Sequence, residues 1–294
     1  MVDESAVSRR ISPADQMLVR DGDREHYFTC GRSALECIQK VLDAASISPN
    51  RITRILDLPC GHGRVLRWLK VAFPRATITA CDLLRDGIDF CSATFGAMGQ
   101  YSCDEPEAIP LEPEGFELIW VGSLFTHLDA PLWGRFLTAL RKALCPGSLL
   151  VFSTHGRDAY QRIVDNRVSY DIGHWGRTRL LYQYERTGFG YVKYSGSESY
   201  YGFSLSHPAW VARQLTALDG LRIVHVSEAA WDKFQDVFAC MRVPGCEGDG
   251  RRTSGIRHAR HMAIDRMNPR VRSVLSMAWR WCFYNEQGDT RGRK

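Results

Sequence analysis

Long hydrophobic runs are absent from this 294-residue sequence. No run approaches the roughly 20 apolar residues that a membrane-spanning helix needs. The first residues, MVDESAVSRRISPADQ, also lack the apolar core of a secretory signal, so we expect a cytoplasmic protein. The ten cysteines form no C-x-x-C pair and no metal-type spacing with histidine, which predicts reduced thiols and no metal site.

An excess of one charge is also lacking over most of the chain. Residues 1–243 carry 27 Lys and Arg side chains against 28 Asp and Glu, which argues against general nucleic-acid binding. Residues 244–294 carry 11 against 5 and open with a glycine-rich linker. Within this tail, the basic stretch 251–282 contains an apolar and arginine pattern at 270–281 that predicts an amphipathic helix with Trp279 and Trp281. Such a helix either contacts an anionic membrane or a partner protein, or docks on the body.

A strand, a glycine turn and a helix follow one another in residues 54–70, RILDLPCGHGRVLRWLK. The apolar run ILDL predicts a buried parallel strand with Asp57 near its end. The sequence PCGHG then predicts a tight turn, and apolar side chains continue at helical spacing until Pro74. This arrangement brings backbone close to a ligand, with a helix N-terminus facing it.

A second acid follows at a defined distance from the turn. Residues 77–84, TITACDLL, predict the next strand, with Asp82 at its C-terminal end. A carboxylate there, roughly 20 residues past the glycine turn, is placed to accept hydrogen bonds from ribose hydroxyls. Two ligands fit this spacing, a nicotinamide dinucleotide and S-adenosylmethionine. The dinucleotide fingerprint G-x-G-x-x-G requires a third glycine, and this chain has Leu66 there.

The pattern D-x-x-C-G-x-G at residues 57–63 resembles motif I of the class I S-adenosylmethionine-dependent methyltransferases, with Pro59 in place of the usual first glycine. The resemblance implies S-adenosylmethionine as the cofactor. Contacts with the cofactor are then expected from the turn, from the two acidic strand ends, from the loop that contacts the adenine ring in this family, and from the end of the fourth strand. These residues are Asp57, Pro59, Cys60, Gly61, Gly63, Asp82, Leu83, Cys103, Asp104, Glu105, Gly122 and Ser123.

The resemblance also implies the fold. We expect an α/β class with a seven-stranded, mostly parallel Rossmann-like methyltransferase sheet, helices on both faces and an antiparallel last strand. After the first two strands, the sequence predicts a short third strand followed by a polar loop within 100–111. Further strands are predicted at 118–121, 148–156, 221–231 and 234–243, and helices at 27–47, 86–95, 132–144 and from 207. The expected divisions are a mobile segment, 1–26, a methyltransferase domain, 27–243, and the tail, 244–294.

Candidate catalytic and acceptor residues follow the predicted strand ends. His127 comes after the fourth strand and His155 ends the fifth, where an imidazole can take a proton from an acceptor hydroxyl or amine. The alternative for each is a structural role. The long connection at 157–206 predicts a lid or acceptor site, or else a small antiparallel extension. Its candidate acceptor contacts are Tyr191, Tyr194, Tyr200 and Tyr201.

Three function classes remain open at this point. The first is methyl transfer to an oxygen or nitrogen of a small-molecule or saccharide-linked acceptor, as in the bacterial methyltransferases that the chain resembles. The second is a non-catalytic cofactor-binding or scaffold protein with the same fold, and the third is an NAD-dependent oxidoreductase. Amino-methylating DNA enzymes carry Asn/Asp-Pro-Pro-Tyr/Phe after the fourth strand. This chain has Trp-Val-Gly-Ser at 120–123, which argues against DNA amino groups as the acceptor.

Overall fold

The computed structural model describes residues 2–18, 24–170, 172–194 and 201–244. Its helices are α1 (Arg24–Ala44), α2 (Leu66–Ala72), α3 (Arg85–Phe95), α4 (Ala130–Ala143), α5 (Arg157–Val164), α6 (Gly173–Thr187) and α7 (Pro208–Thr216). Its strands are β1 (Arg54–Asp57), β2 (Thr77–Asp82), β3 (Met98–Tyr101), β4 (Phe116–Val121), β5 (Leu144–Thr154), β6 (Phe189–Lys193), β7 (Gly202–Ser206), β8 (Leu221–Trp231) and β9 (Gln235–Arg242). The predicted tail helix lies outside the described residues. Within them, no helix is long and apolar enough to cross a bilayer.

Seven strands form one sheet in the order β3-β2-β1-β4-β5-β9-β8. The pairs from β3 to β5 are parallel, and β9 is antiparallel to both β5 and β8. The strand order reverses between β1 and β4, and open α/β sheets bind ligands at the carboxyl ends of the strands at such a point. The predicted fold class, with its late antiparallel strand, is confirmed.

Helices cover both faces of this sheet. Ile38 of α1, Leu69 of α2 and Ile88 of α3 belong to one buried cluster. Leu137 of α4 and Val211 of α7 belong to the cluster on the other face. Because the central strands are buried on both sides, their sequences are almost continuously apolar. This is why a local hydrophobic run was enough to locate β1 and β4.

The third strand begins two residues earlier than the sequence indicates, at Met98 instead of Gln100. β3 pairs with β2 from Thr79↔Met98 to Asp82↔Tyr101, so both strands end at the same level. The pairing partner sets these bounds, and the mostly exposed β3 carries little hydrophobic signal of its own. The residues that follow form a loop with a 3₁₀ turn at Pro106–Ala108.

The long connection between β5 and α7 folds into α5, α6 and the antiparallel hairpin β6–β7, around its own buried cluster that includes Phe203. The hairpin is attached to the carboxyl edge of the main sheet. The N–H of Gly202 donates to the carbonyl oxygen of His127 at 3.0 Å, and the N–H of Ser206 donates to that of His155 at 2.8 Å. The predicted antiparallel extension is therefore present, and it covers the ends of β4 and β5.

Candidate active site

A cavity of about 190 Å³ lies at the carboxyl ends of β1, β2 and β4, where the strand order reverses. The strand ends contribute acids, the turn after β1 contributes backbone, and the N-terminal segment forms another wall. Six of the predicted cofactor residues line it, namely Asp57, Pro59, Cys60, Gly61, Asp82 and Gly122. The structure thus brings together residues that are as far as 65 positions apart in the sequence.

The two glycines of the turn have different surroundings. Gly61 (φ +50°) lines the cavity, and a Cβ at this position would meet nothing within 4 Å. Gly63 (φ +78°) faces α3, where a Cβ would lie 2.5 Å from the ring of Phe95. Both need glycine for the positive φ, but Gly63 also allows α3 to pack closely. Of the two, Gly61 borders the ligand space, and a cofactor contact by Gly63 stays a prediction.

Asp82 is attached to the glycine turn by its carboxylate. Oδ2 accepts the N–H of Gly61 at 2.7 Å, and Oδ1 accepts the N–H of Leu84 at 3.0 Å. Burial raises the pKa of the carboxyl group, although the same backbone bonds act to lower it. A carboxylate has about four acceptor positions, so both oxygens keep lone pairs for hydroxyl donors in the cavity.

Asp57 places a second carboxyl group in the same wall. It is 1% exposed, and its Oδ2 atom has no hydrogen-bond partner among the described residues. Burial, followed by the charge of Asp82, raises the pKa of Asp57 well above its usual range. A buried polar atom without a partner costs about 1–3 kcal/mol, so this atom favours a ligand that brings an N–H or O–H.

The loop after β4 is fixed by a buried polar network. Ser123 (φ +60°) follows Gly122, and its N–H donates to Oγ of Ser153 at 2.8 Å. Ser153 Oγ donates to Oε1 of Gln235 at 2.7 Å, and Gln235 Nε2 donates to Ser123 Oγ at 2.9 Å. Ser123 therefore shapes the loop beside the cavity, and a direct cofactor contact by this residue stays a prediction.

The N-terminal segment contributes a wall that the sequence analysis did not assign to the site. Residues 14–17 line the cavity. Asp15 Oδ2 accepts the hydroxyl proton of Tyr27 at 2.6 Å, and Asp15 Oδ1 accepts the N–H of Met17 at 2.9 Å. No local motif marks Asp15, because its position depends on this contact with α1. The mobility expected of residues 1–26 concerns dynamics and stays a prediction.

Arg64 and Trp231 also line the cavity, although the sequence analysis did not assign them to the site. Arg64 is 7% exposed, and its guanidinium carbon lies 5.9 Å from the ring centroid of Trp231. Burial acts to lower the pKa of Arg64, but nearby acidic groups, including the carboxyl groups of Asp232 and Asp15, raise it above its ordinary value. Trp231 Nε1 donates to the carbonyl oxygen of Cys30 at 3.0 Å, which fixes the end of β8 against α1.

The predicted adenine loop does not contribute to the described cavity wall. It comprises Cys103, Asp104 and Glu105. Arg135 of α4 forms ion pairs with both Glu105 and Glu107, including a 2.8 Å bond from Nε to Glu107. Leu83 is 39% exposed and also lies outside the wall. Adenine contacts by these residues stay predictions.

The two candidate bases are buried beside each other, with ring centroids 6.4 Å apart. Neither is part of the described cavity wall. Nδ1 of His127 donates to the carbonyl oxygen of Gly202 at 2.8 Å, and burial lowers the pKa of His127 to about 4. Burial also lowers the pKa of His155, well below its usual range. Both imidazoles are therefore neutral near pH 7, and their catalytic role stays a prediction.

Tyrosines of the hairpin surround His127. The ring of Tyr201 stacks on that of His127 with centroids 4.4 Å apart, and the hydroxyl of Tyr194 lies 3.4 Å from His127 Nδ1. Tyr191 is half-buried, and burial raises its pKa to about 12. Tyr200 lies outside the described residues. Contact of these tyrosines with an acceptor stays a prediction.

Comparison with known proteins finds a family model and a solved structure that are similar to this chain. Residues 55–147 match the family model described as a methyltransferase domain. The crystal structure of a protein from Pyrococcus horikoshii has the same fold, with a TM-score of 0.53 at 11% identity over 79% of this chain and 97% of that one.

Two curated relatives match over the same part of the chain. The fatty-acid O-methyltransferase of Mycolicibacterium smegmatis is 30% identical over 125 residues, which is 42% of this chain and 41% of that protein. The malonyl-[acyl-carrier protein] O-methyltransferase of Halalkalibacterium halodurans is 29% identical over 117 residues, 38% of this chain and 42% of that protein. The chain thus spans about two fifths of the length of these relatives.

The sheet order, the glycine turn and the acid at the end of β2 define a class I methyltransferase fold. Residues 55–147 are similar to the methyltransferase domain of that family model, and they contain the glycine turn and the acid at the end of β2. The resemblance inferred from residues 57–63 is thereby confirmed.

Proposed function

We propose that the protein transfers a methyl group from S-adenosylmethionine to an oxygen or nitrogen of a small-molecule acceptor. The observation that carries this proposal is Asp82, whose buried carboxylate is bonded to the glycine turn at the end of β2 and borders the cavity. This geometry presents acceptor lone pairs to a pair of ribose hydroxyls, next to a turn whose backbone is open to the ligand.

The donor set of the cavity fits the cofactor. Asp82 would hold the ribose, and the open side of Gly61 admits close backbone approach. Asp57 Oδ2, which lacks a partner among the described residues, would receive a donor group. When bound, S-adenosylmethionine supplies a methyl group already activated on a sulfonium, so the protein chiefly positions the acceptor and excludes water.

The relatives favour an acyl acceptor. One is named for fatty acids and the other for malonyl-[acyl-carrier protein], and both are O-methyltransferases. A carboxylic acid with a pKa near 4 is already deprotonated at pH 7, so its oxygen attacks without a general base. We therefore place a carboxylate ahead of a saccharide-linked hydroxyl as the acceptor of this protein.

Whether His127 acts as a general base depends on which kind of acceptor the protein methylates. Because Nδ1 carries the proton bonded to Gly202, Nε2 is the basic atom. We expect His127→Gln to leave methylation of a carboxylate within about threefold. A hydroxyl acceptor that depends on this base would lose about 100-fold or more. Rates for both acceptor types measured on the same variant separate these cases.

The test is a methyl-transfer assay with labelled S-adenosylmethionine and three acceptors: a long-chain fatty acid, a malonyl thioester and a simple glycoside. We expect labelled ester from at least one of the first two. Asp82→Asn should lower product formation by roughly 10- to 150-fold when S-adenosylmethionine is kept below its dissociation constant. Asp89→Asn should retain product formation, because Asp89 contacts Tyr101 at an exposed position outside the cavity wall. Product from the glycoside alone would contradict the acyl assignment.

A non-catalytic cofactor-binding protein is the second candidate. It is favoured by the hairpin β6–β7, whose backbone bonds cover the ends of β4 and β5. Under this alternative the cofactor binds but no acceptor is methylated. Tight binding of S-adenosylhomocysteine without label transfer to any carboxylate, hydroxyl or amine in a broad acceptor panel would favour it.

A further inference from the structure

The outer face of α6 combines exposed aromatic rings with arginine side chains. Trp175, Arg179, Tyr182 and Arg186 follow one another at intervals of four, three and four residues, so they form one stripe along the helix, here called the α6 stripe. Trp175 is 83% exposed and Tyr182 is 59% exposed. Because large aromatic side chains are mostly buried in folded proteins, two exposed rings on one helix face indicate an interaction surface.

The opposite face of α6 attaches the helix to the hairpin β6–β7. Leu180 and Tyr184 are buried on that face, in the cluster that includes Phe203. The N–H of Tyr191 donates to Oε1 of Gln183 at 2.9 Å, which connects β6 to the side of the helix. The α6 stripe therefore lies on the side of the helix that faces away from the hairpin, and the helix itself is held by packing and by hydrogen bonds.

The α6 stripe carries positive charge. Both of its arginines are exposed, and the guanidinium carbon of Arg186 lies 5.5 Å from the ring centroid of Tyr182. Nη1 of Arg186 also donates to the hydroxyl oxygen of Tyr182 at 3.3 Å. The one acid of α6, Glu185, lies beside the stripe and accepts the hydroxyl proton of Tyr160 at 2.8 Å. A surface that binds the α6 stripe should therefore be anionic.

The size of the α6 stripe distinguishes between two kinds of anionic partner. Two aromatic side chains bury about 300–500 Å² between them. A stable protein partner buries roughly 800 Å² on each side and needs a matching shape. A lipid surface needs no matching shape, and Trp and Tyr rings prefer the boundary between the headgroups and the acyl chains. The stripe therefore fits an anionic bilayer better than an acidic protein.

We propose that the α6 stripe is a membrane-contact site. Trp175 and Tyr182 enter the headgroup region of an anionic bilayer, and Arg179 and Arg186 pair with the lipid phosphates. The contact is peripheral and reversible, because two rings and two charges bind far more weakly than a spanning helix or a pair of lipid anchors. The proposal goes beyond the proposed function, since lipid binding of this kind requires neither the cofactor nor the acceptor.

Flotation with vesicles tests the proposal on the full chain. The probes are vesicles of phosphatidylcholine alone and vesicles of phosphatidylcholine mixed with an equal amount of phosphatidylglycerol. We expect the protein to bind the mixed vesicles at least about fivefold more tightly than the neutral ones. Trp175→Ser should weaken binding to the mixed vesicles by about tenfold, because an apolar ring no longer leaves water. Arg179→Gln combined with Arg186→Gln should weaken it by about 10- to 30-fold, since each arginine contributes about a factor of five at an anionic surface.

Matched controls are available beside the edge strand β3. Met98 is 60% exposed, and Arg85 is exposed with its guanidinium carbon 4.4 Å from the ring centroid of Tyr101. Met98→Ser removes an exposed apolar side chain, and Arg85→Gln removes a charge that lies over an exposed tyrosine. Neither change touches α6, so each should alter vesicle binding by less than about twofold. Urea unfolding should give the unaltered stability for the stripe variants, because the substituted side chains are exposed.

Three results would overturn the proposal. The first is unchanged vesicle binding in the stripe variants, which would mean that another part of the chain contacts lipid. The second is an equal loss in the stripe variants and in the controls. The third is no vesicle binding by the unaltered protein, and retention on immobilised polyglutamate that the arginine variant abolishes would then assign the α6 stripe to an acidic protein. Absence of methyl transfer leaves these measurements unaffected, so the membrane contact and the proposed function can fail separately.

Discussion

Replacing Asp82 with asparagine separates the ligand role of this residue from its structural role. In the folded protein one carboxylate oxygen accepts the N–H of Gly61 and the other that of Leu84. Asparagine has one oxygen, so one of these N–H groups loses its partner at a site that is 6% exposed. We therefore expect Asp82→Asn to reduce the free energy of unfolding by about 1–3 kcal/mol.

We also expect Asp82→Asn to weaken cofactor binding. Hydrogen bonds to a charged group contribute about 1.5–3 kcal/mol each, so losing the charge opposite one ribose hydroxyl should weaken S-adenosylhomocysteine by roughly 10- to 150-fold. Calorimetry measures the affinity, and urea unfolding measures the stability of the same sample. Asp89→Asn makes the same chemical change at an exposed bond to Tyr101 and should leave affinity unchanged. A folded Asp82→Asn protein that binds within threefold of the unaltered chain would refute the ribose role.

Three further outcomes follow from packing and burial. In Gly31→Ala, the new Cβ would lie 2.3 Å from the carbonyl oxygen of Arg64, so denaturant unfolding should show a loss of about 1–3 kcal/mol. In Gly134→Ala, within α4, a Cβ meets nothing within 4 Å, so the free energy of unfolding should stay unchanged or rise by up to about 1 kcal/mol. If both variants lose the same stability, the close contact of Gly31 with Arg64 is not the cause. Burial raises the pKa of Asp236 from 3.8 to about 7, so the folded protein keeps a proton that the unfolded chain releases between these values, and stability falls as pH rises through this range. The change in the free energy of unfolding caused by Asp236→Asn should therefore be more favourable at pH 8 than at pH 4.5, by about 4 kcal/mol at most. If urea unfolding gives the same change at both pH values, burial of the Asp236 carboxyl group is not the cause.

Local sequence patterns predicted the central part of the site. The apolar run before Asp57, the glycine turn and the spacing to Asp82 all depend on residues close in the sequence, and the structure places both acids in one wall. The family resemblance implied a seven-stranded, mostly parallel sheet with an antiparallel last strand, and the antiparallel pairing of β9 with β5 confirms it.

The remainder of the site depends on contacts between distant parts of the chain. Asp15 reaches the cavity because Tyr27 and Arg67 hold the N-terminal segment, and Trp231 reaches it because β8 ends against α1. The second glycine of the turn, Gly63, is explained by the packing of α3. Neither Asp15 nor Trp231 lies in a sequence motif, so a sequence pattern alone did not reveal these two positions.

The central claim is that this cavity binds S-adenosylmethionine. Titration calorimetry of the full chain with S-adenosylmethionine, S-adenosylhomocysteine and NAD in parallel tests it most directly. We predict micromolar binding of the first two and no binding of NAD, because the turn has Leu66 where a dinucleotide site requires glycine. Binding of NAD alone would contradict the account and indicate an oxidoreductase site.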